Sequence, residues 1–70
     1  EEIRLASSMH HRTQKDSFHI LYALDNPVTV KVRSNVLELF PGQVCLIPAA
    51  TGFYSTIPPA GESARLLRII

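Results

Sequence analysis

The sequence predicts an all-β domain, an antiparallel sandwich or barrel of short strands. Two observations predict it. Apolar and polar residues alternate at period two in several short segments, most cleanly in VTVKVR at 28–33. Turn chemistry (Asp25-Asn26-Pro27, Ser34-Asn35, Pro41-Gly42, Pro58-Pro59-Ala60-Gly61) then punctuates the chain, and strands spaced roughly 8–12 residues apart with such turns between them are the pattern of a sandwich or barrel.

The elements follow in order. Ile3 and Leu5, continued by Met9, mark a first strand near 2–8, and a polar loop follows from His10 to Asp16. A strand near 17–24 holds FHILYAL (18–24), with Phe18, Ile20, Tyr22 and Leu24 on one face and His19, Leu21 and Ala23 on the other. Both faces are largely apolar, which suits a central strand. Val28, Val30 and Val32 point inward from the strand at 28–33, and Thr29, Lys31 and Arg33 point outward. Leu37 and Leu39 alternate with Glu38 at 36–40, and Pro41-Gly42 ends that strand. QVCLI at 43–47 is apolar on both faces and Pro48 closes it. A short strand at 53–57 precedes a loop whose two prolines forbid pairing. ARLLRII at 64–70 is short and ends in Ile-Ile, which favours a last strand over a helical turn. The expected core includes Phe18, Ile20, Tyr22, Val30, Leu39, Leu46 and Leu66.

The totals narrow the function classes. Seventy residues make at most one small domain, which buries only about 60% of its unfolded surface. Hydrophobic content of 46% and charged content of 19% fit a globular chain. The net charge is +1, and the basic residues (Arg4, Arg12, Lys15, Lys31, Arg33, Arg65, Arg68) are scattered along the sequence. No basic stripe forms, so a nucleic-acid partner is not expected. No apolar run approaches the roughly 18 residues of a membrane span, and no signal peptide is visible, so the cytoplasm is the default. Cys45 is the only cysteine. It permits no internal disulfide and reads as a small hydrophobe within an apolar run.

Sites for chemistry are few. His10, His11 and His19 are the only transition-metal ligand candidates. Side chains alternate along a strand, so the adjacent His10 and His11 would face opposite ways there. One of them with His19 and a carboxylate is the metal arrangement these residues allow. Two solvated loop histidines and one partly buried strand histidine are the plainer reading. Gly42, Gly52 and Gly61 stand alone, so no phosphate loop is present. Ser17, Ser55 and Ser63 lack a nucleophile-elbow context. Asp16, Asp25, Glu38 and Glu62 sit in turns or on an outward face, where solvated charge is the usual role. No catalytic, cofactor-binding or metal-ligating residue is therefore assigned.

LELFPGQVCLIPAATGFY at 37–54 resembles the second conserved motif of the cupin family, in which a Pro-Gly turn leads to a strand ending Ile-Pro. A histidine stands five positions after that proline in the motif, and here the position is Phe53. The first cupin motif, two histidines two apart with a glutamate shortly after, is missing. The resemblance implies a jelly-roll barrel without a metal site, with Phe53 at least half buried as a plug. SFHILYAL (17–24), VTVKV (28–32), LELFPGQVCLIPAA (37–50), Tyr54 and LLRI (66–69) are more closely similar to the carboxy-terminal cupin half of type I mannose-6-phosphate isomerases. In that family one zinc and the catalytic arginine belong to regions outside the matched half. No residue here matches them, so neither role is carried over.

The resemblance implies one cupin-like domain over 1–70, incomplete as a free barrel and belonging to the carboxy-terminal part of a longer chain. The rest of that chain, or a second copy, would cover its edges. The leading expectation is a non-catalytic terminal domain of a zinc-dependent sugar-phosphate isomerase, with no cofactor in this segment. The alternative is a small-molecule-binding cupin, stand-alone or the sensor domain of a transcription regulator.

Overall fold

The computed structural model describes residues 1–14 and 17–70, and its regular structure is almost wholly β. Among the described residues eight strands run in the order β1 (Glu2–Leu5), β2 (Met9–Arg12), β3 (His19–Ala23), β4 (Val28–Val32), β5 (Asn35–Leu39), β6 (Val44–Ile47), β7 (Phe53–Ile57) and β8 (Ala64–Ile69). A single 3₁₀ turn, Ala49–Thr51, is the one helical element among the described residues. No helix among the described residues is long and apolar enough to cross a membrane.

Two four-stranded antiparallel sheets form, with strand orders β1-β8-β3-β6 and β2-β7-β4-β5. The pairs β4–β5, β3–β6, β2–β7 and β1–β8 are nested, so the chain is one long hairpin rolled upon itself. The further pairs β3–β8 and β4–β7 lock the roll. This is a jelly roll, as expected from the sequence. Among the described residues no ladder joins the two sheets, so the barrel is open.

The turns follow their residues. Pro41 and Gly42 occupy the centre of a turn closed by Gln43 N–H donating to the Phe40 carbonyl at 2.9 Å, and Gly42 takes φ 87°, the left-handed geometry that a type II turn reserves for glycine. Val32 pairs with Asn35, leaving Arg33-Ser34 as a two-residue hairpin loop. Arg33 itself adopts φ 56°. Asp25 fastens the β3–β4 connection to the start of β8. Its carboxylate accepts from the Arg65 backbone N–H at 2.8 Å and from Arg65 Nε at 3.1 Å. These bonds, the backbone one foremost, hold its pKa below the ordinary carboxylate value.

Leu5, Leu21, Ala23, Val28, Val30, Leu39, Ile47, Tyr54, Ala64 and Leu66 fill the space between the sheets. Val30, Leu39 and Leu66 are there as expected, and four expectations need correction. Phe18 is 51% exposed and Leu46 59% exposed, while Ile20 and Tyr22 are only half-buried. The cause is the choice of face on β3. His19, Leu21 and Ala23 turn inward, and Leu46 lies opposite Ile20 on the outer face. An apolar pattern on both sides of a strand carries no signal for that choice.

The stretch read as a polar loop from His10 is in fact β2 as far as Arg12. Lys15 and Asp16, read as the end of that loop, lie outside the described residues. Phe53 is also corrected: it is 70% exposed rather than a plug. Directly opposed residues in a ladder share a face. Thr13, buried, donates its N–H to the Gly52 carbonyl at 2.7 Å. The next pairs are Arg12 with Phe53 and His11 with Tyr54. The 3₁₀ turn and Gly52, at φ 80°, thus deliver β7 one residue out of phase with the motif, and Tyr54 takes the inward place.

Candidate functional site

A polar cluster inside the roll is drawn from four strands. His11 lies on β2, His19 on β3, Tyr54 and Thr56 on β7, and Arg68 on β8. Inward pointing follows from strand parity. Tyr54 and Thr56 share a face at period two, and Arg68 shares the face of the buried Ala64 and Leu66.

The Tyr54 ring is central. His11 stacks on it with centroids 4.8 Å apart and a 20° interplanar angle, and His19 meets it edge-on at 5.7 Å and 74°. His19 Nδ1 and the Tyr54 hydroxyl are 2.6 Å apart. Arg68 Nη1 lies 3.0 Å from His11 Nδ1, and His11 Nε2 lies 2.7 Å from Thr56 Oγ1. A guanidinium can only donate, so His11 Nδ1 accepts and the ring proton sits on Nε2, donating to Thr56. Arg68 is held in turn by the Glu1 carboxylate, through Nε at 3.1 Å and a shorter contact from Nη2.

These contacts set the protonation states. His11 is pushed down to about 4, chiefly by burial and then by the Arg68 charge. His19 is lowered for the same two reasons. Burial raises the Tyr54 phenol, with Arg68 opposing. Glu1 is lowered by its hydrogen bond to Arg68. At neutral pH the cluster is thus two neutral imidazoles, a neutral phenol and one Arg–Glu ion pair. Among the described residues, every buried side-chain nitrogen and oxygen has a hydrogen-bond partner.

Of the histidines considered from sequence, the structure brings His11 and His19 onto one tyrosine and leaves His10 exposed on the other face of β2, 2.9 Å from Ser55 Oγ. The plainer reading therefore needs correction at His11, which is 5% exposed and on a strand. The donor set does not suit a zinc ion. Both His11 nitrogens are engaged and a guanidinium adjoins the ring. No group of three or more His, Cys, Asp or Glu among the described residues could hold a metal. Sequence reasoning missed Arg68 and Thr56. Counting parity back from Leu66 in ARLLRII places Arg68 on the core face, a signal that was legible.

Cys45 lines the gap between the edge strands β5 and β6, and burial raises its thiol pKa. That gap is an apolar cleft of about 190 Å³ with Val30, Val32, Leu37 and Ile47 among its walls.

No family model matches the chain, and no curated protein does. A solved structure is similar: a cupin-2 domain containing protein from Shewanella frigidimarina, with a TM-score of 0.78 at 13% sequence identity. The alignment covers 96% of this chain and 63% of that one. At this identity the likeness is one of fold, and the fold is that of a cupin.

Proposed function

We propose that this cupin-fold chain is a non-catalytic domain that acts by packing, and that its parent is a type I mannose-6-phosphate isomerase whose carboxy-terminal half it resembles. The observation that supports the reading is the outer face of the β1-β8-β3-β6 sheet. Leu46, Ile20 and Ile69 form one cross-strand row there, and Val44, Tyr22 and Leu67 the next. Val44, Leu46 and Ile69 are exposed, and Phe18 extends the apolar surface. Contiguous apolar patches of this kind on soluble proteins mark interaction sites. A second cupin half of the same parent chain is the occupant that fits the resemblance.

Aldose–ketose isomerisation needs a base to move a proton between adjacent carbons, a Lewis acid or cation for the enediolate oxygens, and cations for the phosphate. In this reading the catalytic half supplies them. The interior network of this chain, closed on itself, holds its two sheets together, and the outer face covers the partner half.

The test is a coupled isomerase assay on the chain alone and on the parent carrying Leu46→Asp with Leu67→Asp. The chain alone is expected to be inactive. The parent variant should melt lower and lose activity in proportion to its folded fraction, with KM unchanged. Chelator-sensitive activity in the chain alone, or a parent variant with unchanged Tm, would overturn the reading. The cleft between β5 and β6 favours the second reading, a small-molecule-binding cupin. A ligand released on denaturation and identified by mass spectrometry would support it.

A further inference from the structure

The basic residues that are scattered in sequence do not remain so in space. On the outer face of the β2-β7-β4-β5 sheet, His10 pairs with Ser55 and Ser55 with Lys31, so the three stand in one row across neighbouring strands. Two residues further along, Phe53 pairs with Arg12, and Arg33 follows Lys31 at the end of β4. Lys31, Arg33, His10, Phe53 and Ser55 line a cleft of about 460 Å³, within the range of small-ligand sites.

Three features set this corner apart. Among the described residues, Arg12, Lys31 and Arg33 make no ion pair, and of the basic residues without one only Arg4 lies elsewhere, whereas Arg65 and Arg68 are paired. Phe53 presents a large aromatic surface to solvent at 70% exposure, with the Arg12 guanidinium carbon 5.5 Å from its ring centroid. Arg33 occupies a left-handed position, φ 56°, in a two-residue hairpin loop. Glycine, asparagine or aspartate normally stands there, and strain of this kind concentrates at functional positions.

We propose that this corner binds a phosphate monoester carrying a flat ring, of the size of a nucleoside monophosphate. Lys31 and Arg33 hold the phosphate by charge-assisted hydrogen bonds. The ring stacks on Phe53, whose π-face accepts any base. His10 and Ser55 form the polar wall.

The test is an amide-shift titration of the chain at low salt with adenosine 5′-monophosphate, and separately with adenosine, inorganic phosphate and a short single-stranded oligoadenylate. The monophosphate should bind with Kd below about 1 mM and shift residues 31, 33, 53 and 55. Adenosine and phosphate should each bind at least about tenfold more weakly, since each lacks one anchor. Phe53→Leu, Lys31→Gln and Arg33→Gln should each weaken the monophosphate by roughly tenfold with Tm unchanged. Absent binding, phosphate binding as tightly as the monophosphate, or variants without effect would each overturn the proposal. An oligoadenylate bound far more tightly, with a steep salt dependence and shifts beyond the corner, would overturn it in favour of a nucleic-acid surface.

Discussion

Acid should weaken this fold through His11 as the pH falls below about 6.5. In the folded chain His11 accepts from Arg68 on one nitrogen and donates to Thr56 from the other, so a second proton has no acceptor and faces a guanidinium. Its pKa falls from 6.5 to about 4. The unfolded chain therefore binds more protons than the folded one between those values, and stability rises with pH across that window. It is fully present above about 6.5 and drains away as pH falls toward 4. The gap of 6.5 − 4 = 2.5, at ~1.4 kcal/mol per pH unit, corresponds to about 3 kcal/mol. About 2 kcal/mol of it is gone by pH 5, a large share of the 5–15 kcal/mol typical of a domain. His19 shifts in the same direction and adds to the slope. Glu1 and Asp25 are also lowered, from 4.5 and 3.8, so their contributions begin to be lost only as pH falls below about 4.5 and 3.8 respectively. Urea unfolding at several pH values between 7 and 4.5 is the assay. His11→Gln is the control, because an amide can accept from Arg68 and donate to Thr56 without titrating. Its slope should be shallower than the parent's. A flat stability between pH 7 and 5, or equal slopes in both proteins, would refute the assignment of His11 as a neutral donor–acceptor.

Tyr54→Phe removes the partner of His19 Nδ1 and should cost about 1–3 kcal/mol in urea unfolding, the price of an unsatisfied buried polar atom. Phe53→Ala should change stability by no more than about 0.5 kcal/mol, as surface substitutions do, whereas Leu66→Ala, fully buried, should cost about 2–5 kcal/mol. A large loss at Phe53 would mean that β7 runs in the other phase. After exhaustive dialysis the tag-free chain should retain no stoichiometric zinc by elemental analysis. If it did, His11→Gln and His19→Gln would identify the ligands.

Seven of the strands were legible because alternation, prolines and glycines marked their bodies and ends. MHHR was not, since a strand with one buried imidazole has the composition of a polar loop. Its inward group is stabilised by partners on β7 and β8 that no local window contains. Phe18 and Leu46 were assigned to the core because hydrophobicity does not report which apolar face of a strand meets the other sheet. The error at Phe53 was one of phase. A motif counts residues from Pro48, but the face of each residue is set by Thr13 and His11 across the ladder. The polar cluster was hidden for the same reason: His11, His19, Tyr54 and Arg68 are neighbours only after the hairpin has rolled.

The nested pairing also orders events in time. Among the described residues only β4 and β5 are both consecutive and paired, so the turn at Arg33-Ser34 is the one place there where a ladder can start without first closing a long loop. Zipping outward from that turn, β3 is expected to meet β6 across two short connectors, then β2 to meet β7, and β1 to meet β8 last. Each step inherits ends that the previous step has already brought together, which keeps the entropy of every closure near that of its own connectors rather than of the whole chain. Long-range pairing slows folding in general, and nesting offsets part of that closure cost. The chain's kinetics should respond most strongly to substitutions at the tip of the hairpin, and its native-state fraying should begin at the two ends.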